Sequence, residues 1–340
     1  MSRRLRVGIL GCGVLGTRHA TNLSTLPEVV IVACCDADEQ RAQALAEKVT
    51  SGQATVFTDY QDLLDRAALD ALYICLPPFA HGDEVEQAAA RGIHVFVEKP
   101  IALTSAHAWR MVQAVEAAGV KSQVGFMFRF GPAIEHLKTV IEHGQAGQVG
   151  MLVTRWYDSD MRQHPLWMHD RTKSGGLLLE GAIHHVDLHR YLLGEIVQVY
   201  AQIRQTRLHA GRSDYNLEDV AAIVLECDNG AMGVITTGDC PTPSPGPQTG
   251  ELLAERLSAS LQIPAQATIW QAGASEPLVV GTPGAWRQVY LSETIDFVTS
   301  ILEDRPTRTP LREGARAQTV VEAAYRSARE GRPVQPELED

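Results

Sequence analysis

Leu5 to Gly16 reads LRVGILGCGVLG, and the fold is decided here. Leu5, Val7, Ile9 and Leu10 form a short apolar run that predicts a buried strand. Gly11-Cys12-Gly13-Val14-Leu15-Gly16 then fits G-x-G-x-x-G. Gly11 permits the tight turn, Gly13 lets the backbone approach a pyrophosphate, and Gly16 lets the next helix pack on the strand. The free N–H groups opening that helix would point at the phosphates. A glycine turn alone is a weak signal. Here a second apolar run, Val29 to Cys35, follows and ends in Asp36, about twenty residues past Gly16, where a carboxylate meets an adenosine ribose. Together these features predict a dinucleotide cofactor, with the whole turn Gly11–Gly16 and Asp36 as its contacts. The alternative is a strand–helix turn that binds nothing.

The chain has 340 residues, enough for two domains, and its 45% hydrophobic and 21% charged content is that of an ordinary globular protein. A net charge of −11 argues against nucleic acid or an anionic membrane as partner. The basic start MSRRLRVGIL runs directly into the glycine turn, so it does not read as a signal peptide, and no stretch reaches the length of a membrane helix. The six cysteines, Cys12, Cys34, Cys35, Cys75, Cys227 and Cys240, form no C-x-x-C pair. The expected setting is a reduced cytoplasm.

Beyond Asp36, strand and helix alternate. Helices are expected at 38–49, 59–66, 80–91 and, capped by Thr104 and closed by Gly119, 104–118. Strands are expected at 56–57, 71–76, 94–97 and 121–128. This alternation predicts a doubly wound parallel sheet over residues 1–125. From 126 to 330 the pattern changes. A linking helix at 132–142 leads into better-alternating strands at 149–157, 197–206, 219–226 and 231–237, with weaker ones at 256–263 and 267–271. A long helical stretch, 175–193, interrupts them, and helices at 292–302 and 314–329 close the chain. The second domain is therefore expected to be α+β, built on an open, mostly antiparallel sheet. Residues 240–250 read as a proline-rich loop and 331–340 as a frayed tail.

Glu98-Lys99-Pro100 stands at the carboxyl end of a predicted parallel strand, the edge where open α/β sheets bind ligands. A lysine there can polarise a carbonyl or relay a proton; the bland alternative is a surface lysine. Further on, Leu177, Leu178, Leu179, Ile183, Val186, Leu188, Leu192 and Leu193 surround the 175–193 segment, so such a helix is mostly buried. Glu180, His184 and Asp187 lie on it at i, i+4 and i+7, on one face. Three ionisable groups on a buried stripe predict a cleft wall, with a satisfied core network as the alternative. His185 and His189 are also i, i+4, a zinc spacing, but no further ligands with metal spacing accompany them and no metal is expected. Arg129, Tyr157, Asp158, Trp167 and His169 flank this segment. Aromatic rings beside Arg and Asp suit a sugar, with its apolar ring faces and hydroxyl edges, and Arg129, Tyr157, Trp167, His169 and Asp187 are the expected substrate contacts.

In combination, VGILGCGVLGTRHA (7–20), Asp36, ICLPPFAHGDEVEQAAARGIHVFVEKPIALT (74–104), GFMFRF (125–130), SGGLLLEGAIHHVDLHRYLLGE (174–195) and ETIDFVTSIL (293–302) resemble the glucose–fructose oxidoreductase / inositol dehydrogenase (Gfo/Idh/MocA) family over nearly the whole chain. The resemblance implies a Rossmann domain, an open-faced sheet domain that often mediates oligomerisation, and NAD(P)-dependent hydride transfer on sugars, cyclitols or related polyols and ketones. It places the family's lysine on Lys99 and its D-x-x-x-H on Glu180 and His184. It carries further cofactor contacts onto Leu76, Pro77, Pro78, His81, Glu98 and Lys99. Glu180 and Ala182 stand where many members have Asp and Gly, so substrate identity does not carry over. The resulting expectation is NAD, with NADP as the alternative, and a homodimer or homotetramer formed through the C-terminal sheet. His184 and Lys99 are expected to act on the substrate, with Glu180 orienting His184 or holding a neighbouring hydroxyl. A redox-neutral enzyme that retains NAD and a non-catalytic NAD sensor are the rival readings.

Overall fold

Strand β1 (Leu5–Leu10) is buried along nearly its whole length because strands flank it on both edges and helices cover its faces. The structure is a computed structural model describing residues 4–159, 164–206, 208–209, 211–240 and 248–337. The chain divides into two compact units, Met1–Phe126 with Tyr290–Ala315, and Met127–Val289 with Arg316–Asp340.

The first unit continues from β1 through α1 (Val14–Leu23), β2 (Val29–Cys35), α2 (Glu39–Thr50), β3 (Thr55–Phe57), α3 (Tyr60–Arg66), β4 (Ala71–Ile74), α4 (Glu84–Ala90), β5 (His94–Val97), α5 (Ser105–Ala118) and β6 (Ser122–Val124). The strands form one parallel six-stranded sheet in the order β3-β2-β1-β4-β5-β6, the doubly wound arrangement in which strand order reverses beside β1. Local chemistry sets the helix ends. Asp38 and Asp59 accept backbone N–H groups at the starts of α2 and α3, Thr104 does so at α5, and Gly119 closes α5 in a left-handed conformation.

The second unit holds α6 (Pro132–Glu142), β7 (Val149–Ser159), α7 (Arg171–Ser174), α8 (Ile183–Leu193), β8 (Ile196–Arg204), β9 (Val220–Cys227), β10 (Met232–Cys240), β11 (Thr249–Ala254), β12 (Leu257–Gln262), β13 (Gln266–Gln271) and β14 (Leu278–Gly281). Its eight strands run in the order β14-β13-β12-β11-β7-β10-β9-β8, antiparallel except for the β7–β10 pair. Helices α6 and α8 pack on this sheet. Burial alternates along β9 and β12, so one face of these strands is covered and the other open.

Four expectations need correction. The second domain does not run unbroken from 126 to 330. Helix α9 (Trp286–Leu302), from Tyr290 onward, and the start of α10 (Leu311–Glu330) belong to the first unit. There Phe297 packs edge-on against Tyr73 and Phe96, and Thr309 exchanges hydrogen bonds with both backbone groups of Val124. Next, β6 stops at Val124, and Met127–Phe130 forms a 3-10 turn instead of more strand. Strands β11 and β14 were not expected. Glu251 breaks the apolar run of the first, and the second is a short, mostly exposed edge strand. Finally, the tail is not frayed at Gly331, since Val334 is buried and bridges Val199 through two backbone hydrogen bonds. Of the proline-rich stretch, 241–247 lie outside the described residues, as do 338–340 of the tail; Cys240 ends β10, and Thr249 opens β11. No helix among the described residues is long and apolar enough to cross a membrane.

Candidate active site

In the first unit, the glycine turn is shaped by what surrounds it. Gly11 has φ +90°, and a Cβ there would lie 2.4 Å from the Cys75 carbonyl oxygen; a Cβ on Gly16 would lie 1.9 Å from the Gly11 oxygen. Neither position accepts a side chain. Around Gly13 the reverse holds, with no atom of the described residues beyond its own chain neighbours within 4 Å of its Cβ position, and α1 starts there without a side-chain cap. Its first N–H groups are thus left for an anion. Val14 beside them is exposed. Asp36 is fixed above the turn: Oδ2 accepts the Cys12 N–H at 2.8 Å and Oδ1 the Asp38 N–H at 2.9 Å. Each oxygen has a lone pair left, enough for the two hydroxyls of a ribose. Arg41 pairs with Asp38 at 3.3 Å. These residues fit a dinucleotide on the evidence of the open Gly13 cradle and the doubly anchored carboxylate.

Leu76, Pro77 and Pro78 leave the end of β4 in a turn, half-buried to buried. His81 follows, its Nδ1 2.5 Å from Glu84 Oε1, while Nε2 is buried with no hydrogen-bond partner among the described residues. Burial works to raise the Glu84 carboxyl, but the hydrogen bond and charge of His81 and the Gly82 N–H outweigh it and hold the group below its ordinary range. Lys99 is half-buried just past the end of β5. Glu98 differs from its expected part as a cofactor contact. It is 3% exposed and turned inward, with Oε1 on His19 Nε2 and Oε2 on the Lys99 N–H. The carboxylate therefore serves the backbone of the lysine.

In the second unit the expected stripe is not one regular helix. Gly175 and Gly176 take positive φ, Leu178–Ala182 form a π turn, and only then does α8 begin. Such turns interrupt helices preferentially at functional sites. The π turn lies against Trp156 of β7, so closely that a Cβ on Gly181 would come within 1.8 Å of the indole. Glu180 stands half-buried on this turn. His184 is 8% exposed and stacks on Phe128 at 4.8 Å with rings 28° apart. Asp187 turns away into a buried pair with Arg129, Nε to Oδ2 at 2.9 Å and Nη2 to Oδ1 at 2.5 Å. Arg129 also lies over the Tyr191 ring at 4.5 Å. Two buried opposite charges satisfy each other, so Arg129 and Asp187, expected as substrate contacts, fasten α8 to the 3-10 turn at Met127–Phe130.

Other expected substrate contacts also move. Successive β7 side chains point to opposite faces. Trp156 faces the π turn, so Tyr157 lies on the other face, beneath Arg155 and 3.4 Å from Thr236 Oγ1. His169 is 0% exposed, accepts a hydrogen bond from Arg212 at 3.0 Å and lies near the Tyr215 ring, which ties it to the 211–217 loop. Trp167 is half-buried on a 3-10 turn. Period-two alternation along β7 would have selected Trp156 over Tyr157, whereas no sequence signal marks His19. Three of the four His185 and His189 ring nitrogens meet protein acceptors: His185 Nε2 meets Gln248 Oε1, and His189 meets the His185 and Leu152 carbonyls, while His185 Nδ1 is buried with no hydrogen-bond partner among the described residues. Burial drives both pKa values down, to about 3 and about 4. Among the described residues no group of three or more His, Cys, Asp or Glu could hold a metal ion.

Comparison with known proteins matches three family models along the chain. Residues 5–126 match an oxidoreductase family with an NAD-binding Rossmann fold. Residues 134–253 match the GFO/IDH/MocA C-terminal domain, and 243–335 an oxidoreductase-family C-terminal alpha/beta domain. Myo-inositol 2-dehydrogenase of Thermotoga maritima is 32% identical over 232 residues, 68% of this chain and 67% of that protein. D-apiose dehydrogenase of Paraburkholderia graminis is 30% identical over 357 aligned positions, 98% of this chain and 90% of that protein. Among solved structures, levoglucosan dehydrogenase in complex with NADH and levoglucosan is similar in fold, with a TM-score of 0.89 at 21% identity over 98% of this chain and 100% of that one.

Proposed function

The chain belongs to the Gfo/Idh/MocA oxidoreductase family, and from that premise we propose that it transfers a hydride between NAD and a sugar-, cyclitol- or polyol-like alcohol or its ketone. The observation that carries this reading is the juxtaposition, within one unit, of the bare Gly13 cradle with a lysine just past the carboxyl end of β5. When bound, NAD supplies the hydride acceptor. Lys99 stabilises the negative charge that develops on the substrate oxygen. His184 takes the carbinol proton, its ring plane set by the stack on Phe128. Glu180 orients His184 or holds a neighbouring hydroxyl.

The test is NADH formation across a panel of polyols, cyclitols and sugars, with His184→Asn beside the wild type. The asparagine keeps a hydrogen-bonding group but cannot take a proton. Its kcat is expected to fall by about 10²–10⁴-fold with the fold intact by circular dichroism. A variant of undiminished turnover removes His184 from the chemistry. Substrate turnover that produces no free NADH would favour a redox-neutral reaction with NAD retained.

Cofactor preference is expected to follow Asp36, which accepts ribose hydroxyls and repels a 2′-phosphate. With Arg41 paired to Asp38, kcat/KM should favour NAD over NADP, and Asp36→Ser should narrow the gap. An NADP advantage in the wild type would reverse the assignment.

We infer a homodimer or homotetramer assembled through the open face of the C-terminal sheet, acting in the cytoplasm. Supporting this, Tyr200, Val224, Val234 and Val153 are consecutive partners on one cross-strand row of that face by register, Tyr200 and Val224 exposed, and the row continues through Glu251, Ser260 and Thr268 to the exposed Val279. Exposed apolar side chains on an open sheet face suit an interaction surface.

A further inference from the structure

A buried charge network in the first unit lies directly behind Lys99. Glu98 uses its two oxygens in different directions: Oε1 meets His19 Nε2 at 2.6 Å, and Oε2 accepts the Lys99 N–H at 3.1 Å. The carboxylate fills the space beside Gly125, where an added Cβ would lie 2.8 Å from Oε2. His19 belongs to α1, the helix that starts at the glycine turn. Phe96, Tyr73 and Tyr290 surround its ring, with centroids at 4.7, 5.6 and 6.1 Å. One carboxylate thus ties the helix of the nucleotide turn to the backbone of the lysine.

Glu293 of α9 is a second acid in the same compartment, 0% exposed. Gln123 Nε2 donates to its backbone carbonyl at 3.0 Å, which docks the helix on β6. Neither of its carboxyl oxygens has a hydrogen-bond partner among the described residues, nor do His19 Nδ1, Tyr73 Oη or Gln123 Oε1. The titratable and charged groups around it are Tyr73 of β4, Cys75 just past that strand, Glu98 just past β5, and Tyr290 and Asp296 of its own helix. His19 lies between Glu98 and Tyr290. Arg18 lies over the Tyr290 ring, and Arg305 is paired with Asp296 at 2.9 Å. A buried carboxylate beside another acid is disfavoured in its charged form. Glu98 has the hydrogen bonds that favour an anion, and Glu293 has none.

We propose that His19 and Glu293 are positioning residues for Lys99: His19 anchors the carboxylate that holds the lysine's backbone, and Glu293, fully buried with neither carboxyl oxygen hydrogen-bonded among the described residues, sets no competing charge beside it. Burial first, then the charges of Glu98 and Asp296, raise the Glu293 carboxyl well above its ordinary range. The proposal rests on the role of Lys99 given above.

Two measurements on the full-length chain test it. His19→Gln places an amide N–H where Nε2 stands, whereas His19→Asn places it at Nδ1, short of Glu98. The asparagine variant is expected to lose about tenfold to a hundredfold in kcat, with substrate KM and the NADH dissociation constant within about twofold of wild type; the glutamine variant should recover most of the loss. Equal kcat in wild type and His19→Asn overturns the part assigned to His19. The second measurement is thermal unfolding of Glu293→Gln against wild type. A folded-state pKa raised above the unfolded value contributes stability that is present at low pH and lost as pH rises toward the folded value. The neutral amide escapes that loss, so the difference in Tm should shift progressively in favour of the variant as pH rises above the ordinary carboxyl range. A difference that is flat with pH overturns the part assigned to Glu293. If the wild type oxidises no polyol, the proposed function fails by itself, and the unfolding measurement still decides the state of Glu293.

Discussion

Lys99→Met is expected to lower kcat by about 10²–10⁴-fold, the scale of a positioned acid–base group, while the NADH dissociation constant moves little. The reason is where the side chain starts. Lys99 is half-buried just past the end of β5, and its backbone N–H is tied to Glu98, itself held by His19. The nucleotide contacts proposed here come from other elements, the turn after β1 and Asp36 at the end of β2. Methionine keeps the apolar stem of the lysine and loses the charge. An effect confined to kcat identifies an interaction made in the transition state, whereas a matching loss in cofactor affinity would identify a binding residue. Steady-state kinetics with NADH fluorescence titration separates the two. Turnover near the wild-type value would leave Lys99 a structural residue.

Asp187→Asn is expected to cost about 3–5 kcal/mol of stability, because it leaves the Arg129 guanidinium buried without its countercharge. Arg129 and Asp187 are 4% and 0% exposed and joined by two hydrogen bonds. The isosteric amide keeps the shape of the side chain and removes the charge. Urea unfolding of the variant should show the loss, and the double change Arg129→Met with Asp187→Leu should restore much of it, since an apolar pair of similar volume avoids both desolvation penalties. A substrate contact at Asp187 would behave differently, raising KM with stability unchanged. That outcome would return Asp187 to the binding surface.

The first unit was legible in the sequence because its constraints are local. Gly11, Gly13 and Gly16 have fixed spacing, Asp36 ends the strand after them, and Thr104 and Gly119 bracket α5 at its observed ends. Each is decided by backbone conformation or by neighbours a few residues away. The class of the second unit was legible too, since alternation along a strand reports one covered face. What the sequence left undecided depends on residues far apart in the chain. The return of Tyr290–Ala315 to the first unit follows from Thr309 pairing with Val124 and Phe297 packing on Tyr73 and Phe96. The pairing of Arg129 with Asp187 is beyond the sequence because two charges on separate elements read as exposed binding groups until the fold brings them together. The π turn at Leu178–Ala182, which ends the simple helical stripe, accompanies the close approach of Gly181 to Trp156 of another element. Helical periodicity and glycine spacing are written in the chain, but a buried charge finds its partner only through packing, and here that pairing divides the residues that hold the fold from those left to meet a ligand.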